Sequence, residues 1–166
     1  MKMRKFDGFD ENGNLPPGIY NMTLEDIERI FSKNQSSKRK EIMMEYKKHL
    51  RELKDTGYFL DHWIDGSFTT SKENPNDIDT LTEFDGFKAD ANNDKPKIDK
   101  LISNSKDNTN GLCHSLRVYR YPFTDEKNYN IYLSSKLRIL FEVFGSTPDE
   151  IPKGILHLIE EANNEI

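Results

Sequence analysis

The sequence predicts an α/β (α+β) fold, with a small mixed β-sheet flanked by helices. Three observations indicate this fold. Apolar residues recur at spacings of three and four in residues 23–34 and 36–55, which is typical of amphipathic helices. Runs rich in β-branched and aromatic residues follow at 58–64, 77–84 and 112–121. Helical segments lie between and after these runs, in the order α-α-β-β-α-β-α-α, and the 166 residues fit one domain spanning 1–166.

The first 22 residues predict an extended N-terminal arm (1–22). Turn-forming residues recur in it, among them Asn12-Gly13 and the run from Leu15 to Gly18. Segments of this composition lie on protein surfaces, so we expect the arm to drape over the domain. A direct contact with a ligand is the alternative.

Two helices follow the arm. Thr23 is predicted to cap the first, and Ser36 or Ser37 the second, which runs to about Asp55 and ends near Gly57. The second helix carries many basic residues, which predict a solvated face or, alternatively, a rim that attracts phosphate or RNA. These residues are Lys38, Arg39, Lys40, Lys47, Lys48, Arg51 and Lys54.

The C-terminal half continues the alternation. Pro96 is predicted to open a short helix that ends near Ile102, and residues 103–111 are predicted to be a loop. A helix is expected over residues 132–144, stopped by Gly145. Residues 152–159 are predicted to form a last helix.

Composition limits the classes of protein. Apolar residues make up 34% of the chain and charged residues 32%, with a net charge of −5. That balance does not indicate nucleic acid as a partner, although a local basic groove is compatible with it. The single cysteine, Cys113, excludes an internal disulfide, and we see neither a signal peptide nor a membrane-spanning run. We therefore expect a cytoplasmic protein without a membrane partner.

The residues best suited to bind a metal ion or a phosphate lie between residues 63 and 79. Asp77 and Asp79 alternate along a predicted strand, so both carboxylates point to one face, with backbones roughly 6.5–7 Å apart. Such a pair suits Mg²⁺, which prefers oxygen ligands and keeps substrate phosphates as further ligands. The preceding Gly66-Ser67 turn lets a phosphate approach the backbone. These features predict metal-assisted phosphoryl or nucleotidyl transfer from a nucleoside triphosphate.

Gly66-Ser67 followed by Asp77-Ile78-Asp79 resembles the signature of the polymerase-β-like nucleotidyltransferase superfamily. The flanking Leu-Pro-Pro-Gly and Pro-Lys-Gly strings are similar to an uncharacterised short bacterial branch of it. The resemblance implies a nucleotidyltransferase-like fold and Mg²⁺-dependent transfer of a nucleoside monophosphate to an unknown acceptor: a protein, an RNA or a small molecule. It implies Asp77 and Asp79 as catalytic and metal-binding residues, and Gly66 and Ser67 as nucleotide-binding residues.

Two further nucleotide-binding residues are proposed from the sequence. Lys72 lies in the loop after the turn and could reach a triphosphate, with a solvated loop lysine as the alternative. The superfamily places a third carboxylate on the strand after the Asp-x-Asp strand. Here Arg117 is expected at that position, and it would favour phosphate over a second cation. Glu83 shares a face with Asp79 but is roughly 13 Å away.

The missing third carboxylate leaves three hypotheses open. The chain is an active nucleotidyltransferase, a catalytically degenerate module that binds nucleotide without turnover, or an interaction protein. The third is motivated by its acidic charge and small size, which suit one half of a toxin–antitoxin or phage-defence pair. Alone, the Asp-x-Asp string is also compatible with an ordinary strand start.

Overall fold

The computed structural model describes residues 2–160 and contains one mixed six-stranded sheet in that range, as the α/β prediction requires. The strand order is β1-β2-β6-β3-β4-β5. Strands β3 and β4 are antiparallel, β4 and β5 are parallel, and β6 is antiparallel to β3 and parallel to β2. The strands are β1 (Met3–Arg4), β2 (Ile19–Met22), β3 (Phe59–Asp65), β4 (Ile78–Asp85), β5 (Cys113–Arg120) and β6 (Ile155–Leu158).

Helices cover both faces of the sheet. They are α1 (Leu24–Phe31), α2 (Ser37–Asp55), α3 (Gly86–Ala91), α4 (Lys95–Ser103), α5 (Ser105–Asn108) and α6 (Glu126–Arg138). A π-helical segment, Ile139–Phe144, continues α6. The predicted caps of the first two helices are confirmed: Thr23 forms a capping box with Asp26, and the Ser36 hydroxyl accepts from the Arg39 N–H.

Two main layers of core sandwich the sheet. On one face, α1 and α2 bury Ile27, Phe31, Ile42 and Tyr46 against the sheet and the N-terminal segment. On the other face, α6 and the π-helical segment pack on the sheet through Tyr132, Leu140 and Phe144, which contact Trp63 and Leu81. A smaller cluster around Leu53 and Phe84 lies under α3 and α4. Asp79 shares its face of β4 with Leu81, so it lies on the α6 side.

The prediction of a last helix over residues 152–159 is wrong. Ile155 to Leu158 form β6, an interior strand between β2 and β3. Ile155 is buried in the α6 layer, whereas Leu156 is buried in the opposite layer. A strand covered on both faces is a short continuous apolar run, and periodicity cannot distinguish such a run from a buried turn of helix.

The expected boundaries differ at four other places. Residues 86–91 form α3, a helix that was not predicted, α5 lies in the expected loop 103–111, and α6 begins at Glu126, before the expected start at 132. The N-terminal arm contributes β1 and β2 to the sheet, and Leu15 is buried, so the arm is in part a component of the core. Among residues 2–160, every helix is too short or too polar to span a bilayer.

Candidate functional site

The strand ends that carry the predicted site line an open cavity of about 1080 Å³. Its floor is formed by the end of β3 and the start of β4, and its far wall by the π-helical segment and the turns after it. Four of the six predicted site residues, Gly66, Ser67, Asp77 and Asp79, lie in this cavity. The full lining is Asn14, Asp65, Gly66, Ser67, Thr70, Asn76, Asp77, Asp79, Phe141, Glu142, Val143, Phe144, Ser146, Thr147, Pro148, Glu150 and Lys153.

Gly66 occupies a backbone conformation that is nearly restricted to glycine, with φ 88° and ψ −170°. A Cβ built on it would lie 2.9 Å from Asp79 Oδ2 and 3.1 Å from the Asp79 amide nitrogen. The glycine therefore lets the turn pass directly beside the Asp79 carboxylate. A short 3₁₀ turn, Ser67–Thr69, follows it.

Ser67 connects the turn to the Asp-x-Asp segment. Its hydroxyl accepts a hydrogen bond from the Asn76 N–H at 3.2 Å and donates to the Asp77 carbonyl at 3.4 Å. The Thr70 hydroxyl donates in turn to the Ser67 carbonyl. Ser67 thus holds Asp77 beside the turn, a role that sequence reasoning, which expected a phosphate contact, did not include.

Asp77 and Asp79 form a closely interacting pair of carboxylates. The Asp79 side chain is 32% exposed, and its pKa is raised by burial and then by the negative charge of Asp77. His114 Nδ1 lies 3.4 Å from Asp79 Oδ1, and Lys106 Nζ lies 3.9 Å from Asp77 Oδ2. A bound cation would stabilise the ionised form of Asp79, which the neighbouring Asp77 carboxylate opposes.

The residues present fit a Mg²⁺ ion held by two carboxylates and completed by substrate and water. In residues 2–160 no group of three or more histidine, cysteine, aspartate and glutamate side chains is arranged as a metal cluster. The described residues therefore do not form a metal site whose ligands all come from the protein. The ligand pair Asp77 and Asp79 corresponds to the sparse, substrate-dependent coordination that Mg²⁺ accepts in nucleotide-binding enzymes.

A buried ion pair lies in the floor of the cavity. Asp65, the last residue of β3, is 1% exposed, and its Oδ1 lies 2.9 Å from Lys153 Nζ. The Thr69 hydroxyl also donates to Oδ1, at 3.1 Å. Burial raises the pKa of Asp65 to about 7 against the opposing charge of Lys153. Because Asp65 is registered opposite Asp79, the pair lies on the same face as the metal-ligand candidates.

Arg39 holds the loop that follows the turn. Its guanidinium is buried and donates to the carbonyls of Phe31 and Phe68, at 3.1 and 2.7 Å. It also donates to the carbonyls of Thr70 and Lys72, at 2.6 to 3.0 Å. The prediction of a solvated face is therefore wrong at this residue, which fixes residues 68–72 from the neighbouring helix.

Lys72 and Arg117, the other two predicted nucleotide-binding residues, are not brought into the cavity. The Lys72 side chain is exposed and does not line the cavity, and its backbone carbonyl accepts a hydrogen bond from Arg39. Arg117 is registered opposite Thr82, so it lies on the other face of the sheet from Asp79. There its Nε lies 2.7 Å from Asp99 Oδ1. The expectation that Arg117 replaces the third carboxylate is therefore corrected: the register places His114 beside Asp79.

The fully buried Glu83 carboxylate belongs to a separate network on the same sheet face. Trp63 Nε1 and the Tyr132 hydroxyl donate to it, and Lys136 and Arg120 lie 3.1 and 2.9 Å away. Burial opposes ionisation, but these hydrogen bonds and charges outweigh it and hold the pKa of Glu83 at about 2. The Glu83 carboxylate therefore stabilises the fold and is not part of the candidate site.

Sequence reasoning missed Asp65 and Lys153. The available signal for Asp65 was its position directly before Gly66-Ser67 at the end of a predicted strand. The signal for Lys153 was the Pro-Lys-Gly string, which was instead assigned to the start of a helix. Both residues would have become candidates if residues 155–158 had been predicted as a strand next to β3.

Comparisons with known proteins identify a family for the chain but not a function. No curated protein and no solved structure matches it. A family model described as a family of unknown function, DUF6932, matches residues 8–159. The match covers the turn, both aspartates, the buried ion pair and every strand except β1. The chain therefore belongs to the DUF6932 family.

Proposed function

We propose that this protein binds a nucleoside triphosphate with Mg²⁺ in the cavity and transfers the nucleoside monophosphate to an acceptor. The observation that carries the proposal is the convergence of Gly66, Asp77 and Asp79. A glycine turn passes directly beside the Asp79 carboxylate, and Asp77 lines the same cavity. The cavity volume of about 1080 Å³ is sufficient for a nucleotide together with part of an acceptor.

The charge of the cavity supports a requirement for the metal. Five carboxylates and one ammonium group are among its described lining residues, and the Lys106 ammonium group lies outside the lining, 3.9 Å from Asp77 Oδ2. A triphosphate carries several negative charges of its own, so the uncompensated site would repel it. A Mg²⁺ ion at Asp77 and Asp79 would offset two of these negative charges and bind the phosphates directly, so nucleotide binding should depend strongly on Mg²⁺. The carboxylates are Asp65, Asp77, Asp79, Glu142 and Glu150.

In the proposed reaction an acceptor oxygen forms a bond to the α-phosphorus, and the bond from that phosphorus to the bridging oxygen breaks, releasing pyrophosphate. Bound Mg²⁺ would neutralise charge on the phosphates and on the departing pyrophosphate. Gly66 lets the turn lie directly against Asp79, and Ser67 keeps Asp77 in position. The acceptor's proton can pass to a rim carboxylate, Glu142 or Glu150.

A second candidate function is nucleotide binding without turnover. One observation favours it: the β5 residue beside Asp79 is His114, and the next β5 residue on that face is Leu116. The strand that carries the third carboxylate in the superfamily therefore supplies none here. In this version the same cavity binds Mg²⁺ and nucleotide, and the bound state serves regulation or recognition of a protein partner, as in a two-gene toxin–antitoxin or defence pair.

Label transfer tests the proposal and separates the two functions. The protein is incubated with each α-³²P-labelled nucleoside triphosphate, Mg²⁺, and protein, RNA or small-molecule fractions of a cell extract. Asp77→Asn and Asp79→Asn are the site variants, and Asp107→Asn, an exposed aspartate on α5, is the matched control. Transfer is expected with wild type and the control only. Binding without transfer in any fraction would favour the second function, and absence of both would refute the proposal.

We also propose that the protein acts in the cytoplasm, where nucleoside triphosphates and Mg²⁺ are plentiful. The buried, unpaired Cys113 thiol fits a reducing compartment. Fractionation of cells that express a tagged chain would test this location.

A further inference from the structure

The ion pair between Asp65 and Lys153 is not used by the mechanism above. The Lys153 side chain is 12% exposed and borders the cavity, whereas Asp65 is almost fully buried in the cavity floor. The ammonium group has three donors, and Asp65 Oδ1 is its one carboxylate partner within 4.0 Å in the described part of the chain. Donors therefore remain for a ligand in the cavity.

Two turns that contact each other fix the position of Lys153. The Lys153 N–H donates to the Gly145 carbonyl at the end of the π-helical segment, at 3.0 Å, and the Gly154 N–H donates to the Leu15 carbonyl, at 2.8 Å. A Cβ on Gly154 would lie 2.6 Å from the Pro16 carbonyl oxygen. The Leu-Pro-Pro-Gly and Pro-Lys-Gly strings thus pack on each other, and this contact fixes the lysine backbone at the cavity wall.

Stability alone gives little reason for this pair. A buried ion pair often contributes no more than an apolar pair of the same size, because both charges lose their hydration. Here the pair is also incomplete, since Asp65 Oδ2 is buried and has no hydrogen-bond partner among the described residues. An orphaned carboxylate oxygen is a cost to folding. The arrangement keeps a positive charge in an otherwise acidic cavity, within the electrostatic reach of Asp79.

We infer that Lys153 contacts the phosphate oxygens of the triphosphate and that Asp65 is the positioning residue that holds its ammonium group on the cavity floor. The inference rests on the proposed function and assigns to Lys153 the phosphate contact that the sequence suggested for Lys72. A lysine acts on phosphate as a compact point charge with several donors. Lys153 lines the same cavity as the Gly66 turn, Asp77 and Asp79, so the cation and the two metal-ligand candidates border one volume.

The test measures binding of two probes by calorimetry in Mg²⁺: a nonhydrolysable nucleoside triphosphate and inorganic tripolyphosphate. Lys153→Met should weaken both by about 10- to 100-fold, the equivalent of one lost charge-assisted contact. Lys153→Arg should recover most of that loss. Lys72→Met is the matched control and should bind both probes as wild type does.

Asp65 is tested through its coupling to Lys153. Asp65→Asn should weaken tripolyphosphate binding, whereas Asp65→Asn in the Lys153→Met background should add no further loss. If Asp65 had only a structural role, Asp65→Asn would lower the unfolding temperature in both the wild-type and the Lys153→Met backgrounds, and its effect on tripolyphosphate binding would not depend on Lys153. If Lys153→Met does not fold, it is replaced by the double variant Asp65→Asn/Lys153→Met, in which both charges of the pair are removed. The wild-type Lys153 side-chain NMR signal, which must shift on addition of tripolyphosphate, provides the same test without a variant.

The outcomes separate the two proposals. Wild-type affinity in Lys153→Met, or an unmoved Lys153 signal with bound probe, overturns the inference and leaves the proposed function standing. Binding of tripolyphosphate through Lys153, without binding of any nucleoside triphosphate, supports the inference and refutes the proposed function. Absence of binding of either probe to the wild type overturns both.

Discussion

Replacing Arg39 with methionine should destabilise the protein and disorganise the loop of the candidate site. Arg39 is 2% exposed, and it donates to four carbonyl groups from two segments of chain. Methionine keeps apolar bulk at this position but supplies neither a donor nor the cation that lies over the Phe68 ring. The carbonyls of residues 31, 68, 70 and 72 would each lose a partner.

The size of the effect follows from how buried each carbonyl contact is. The contacts with Phe31 and Phe68 are buried, and a buried acceptor without a partner costs about 1–3 kcal/mol. The contacts with Thr70 and Lys72 are partly buried, so water can replace the lost donor there. The expected loss in the free energy of unfolding is therefore about 2–6 kcal/mol. At about 3 kcal/mol, a chain of this length should lose about 6–12 °C in Tm.

Thermal and urea unfolding followed by circular dichroism measure this loss. Arg51→Met is the matched control, because Arg51 is an exposed residue of the same helix, and its replacement should change stability by no more than about 0.5 kcal/mol. Nucleotide binding by Arg39→Met, measured below its unfolding temperature, should also be weaker. Equal stability of the two variants would refute the proposed role of the guanidinium.

Three further predictions concern single residues. The pKa of Glu83 is held near 2, below its usual 4.5, so the ionised carboxylate stabilises the fold above pH 4.5. That contribution, about 3 kcal/mol, is lost as the pH falls toward 2. The free energy of unfolding of Glu83→Gln should therefore depend less steeply on pH in this range, and an unchanged slope would contradict this. Burial lowers the pKa of His62 from 6.5 to about 3, so the unfolded chain binds more protons between these values, and stability should decrease by about 5 kcal/mol as the pH falls from 6.5 to 3. Urea titrations of His62→Gln should lack this dependence. Gly66→Ala should cost about 1–3 kcal/mol and weaken nucleotide binding by displacing Asp79, whereas Gly57→Ala, with positive φ but no atom within 4 Å, should leave binding unchanged.

Local sequence signals predicted the parts of the fold that depend on neighbours in the chain. The cap of the first helix follows from Thr23 and Asp26, three residues apart. The convergence of Gly66 with Asp79 follows from a turn between two adjacent antiparallel strands. In both cases the residues lie close in sequence, so the pattern along the chain indicated that they are neighbours in the fold.

The failures concern contacts between distant segments. Arg39 was assigned to a solvated face because helix periodicity shows where a residue points, but not which carbonyls of the loop at 68–72 lie there. Arg117 was expected at the position of the superfamily's third carboxylate. The true register follows from the hydrogen bond of the Ile78 N–H to the Leu112 carbonyl, which places residue 114 opposite residue 79. Lys153 reaches Asp65 across 88 residues of sequence, through a strand that was not predicted.

The dependence of nucleotide binding on Mg²⁺ tests the central claim most directly. Calorimetric titration of the wild type with a nonhydrolysable nucleoside triphosphate should show binding in Mg²⁺ and a loss of about tenfold or more in EDTA. Asp79→Asn should show the same loss in Mg²⁺, while Asp107→Asn should bind as wild type does. Nucleotide binding of equal strength with and without Mg²⁺, and in wild type and Asp79→Asn alike, would contradict the account.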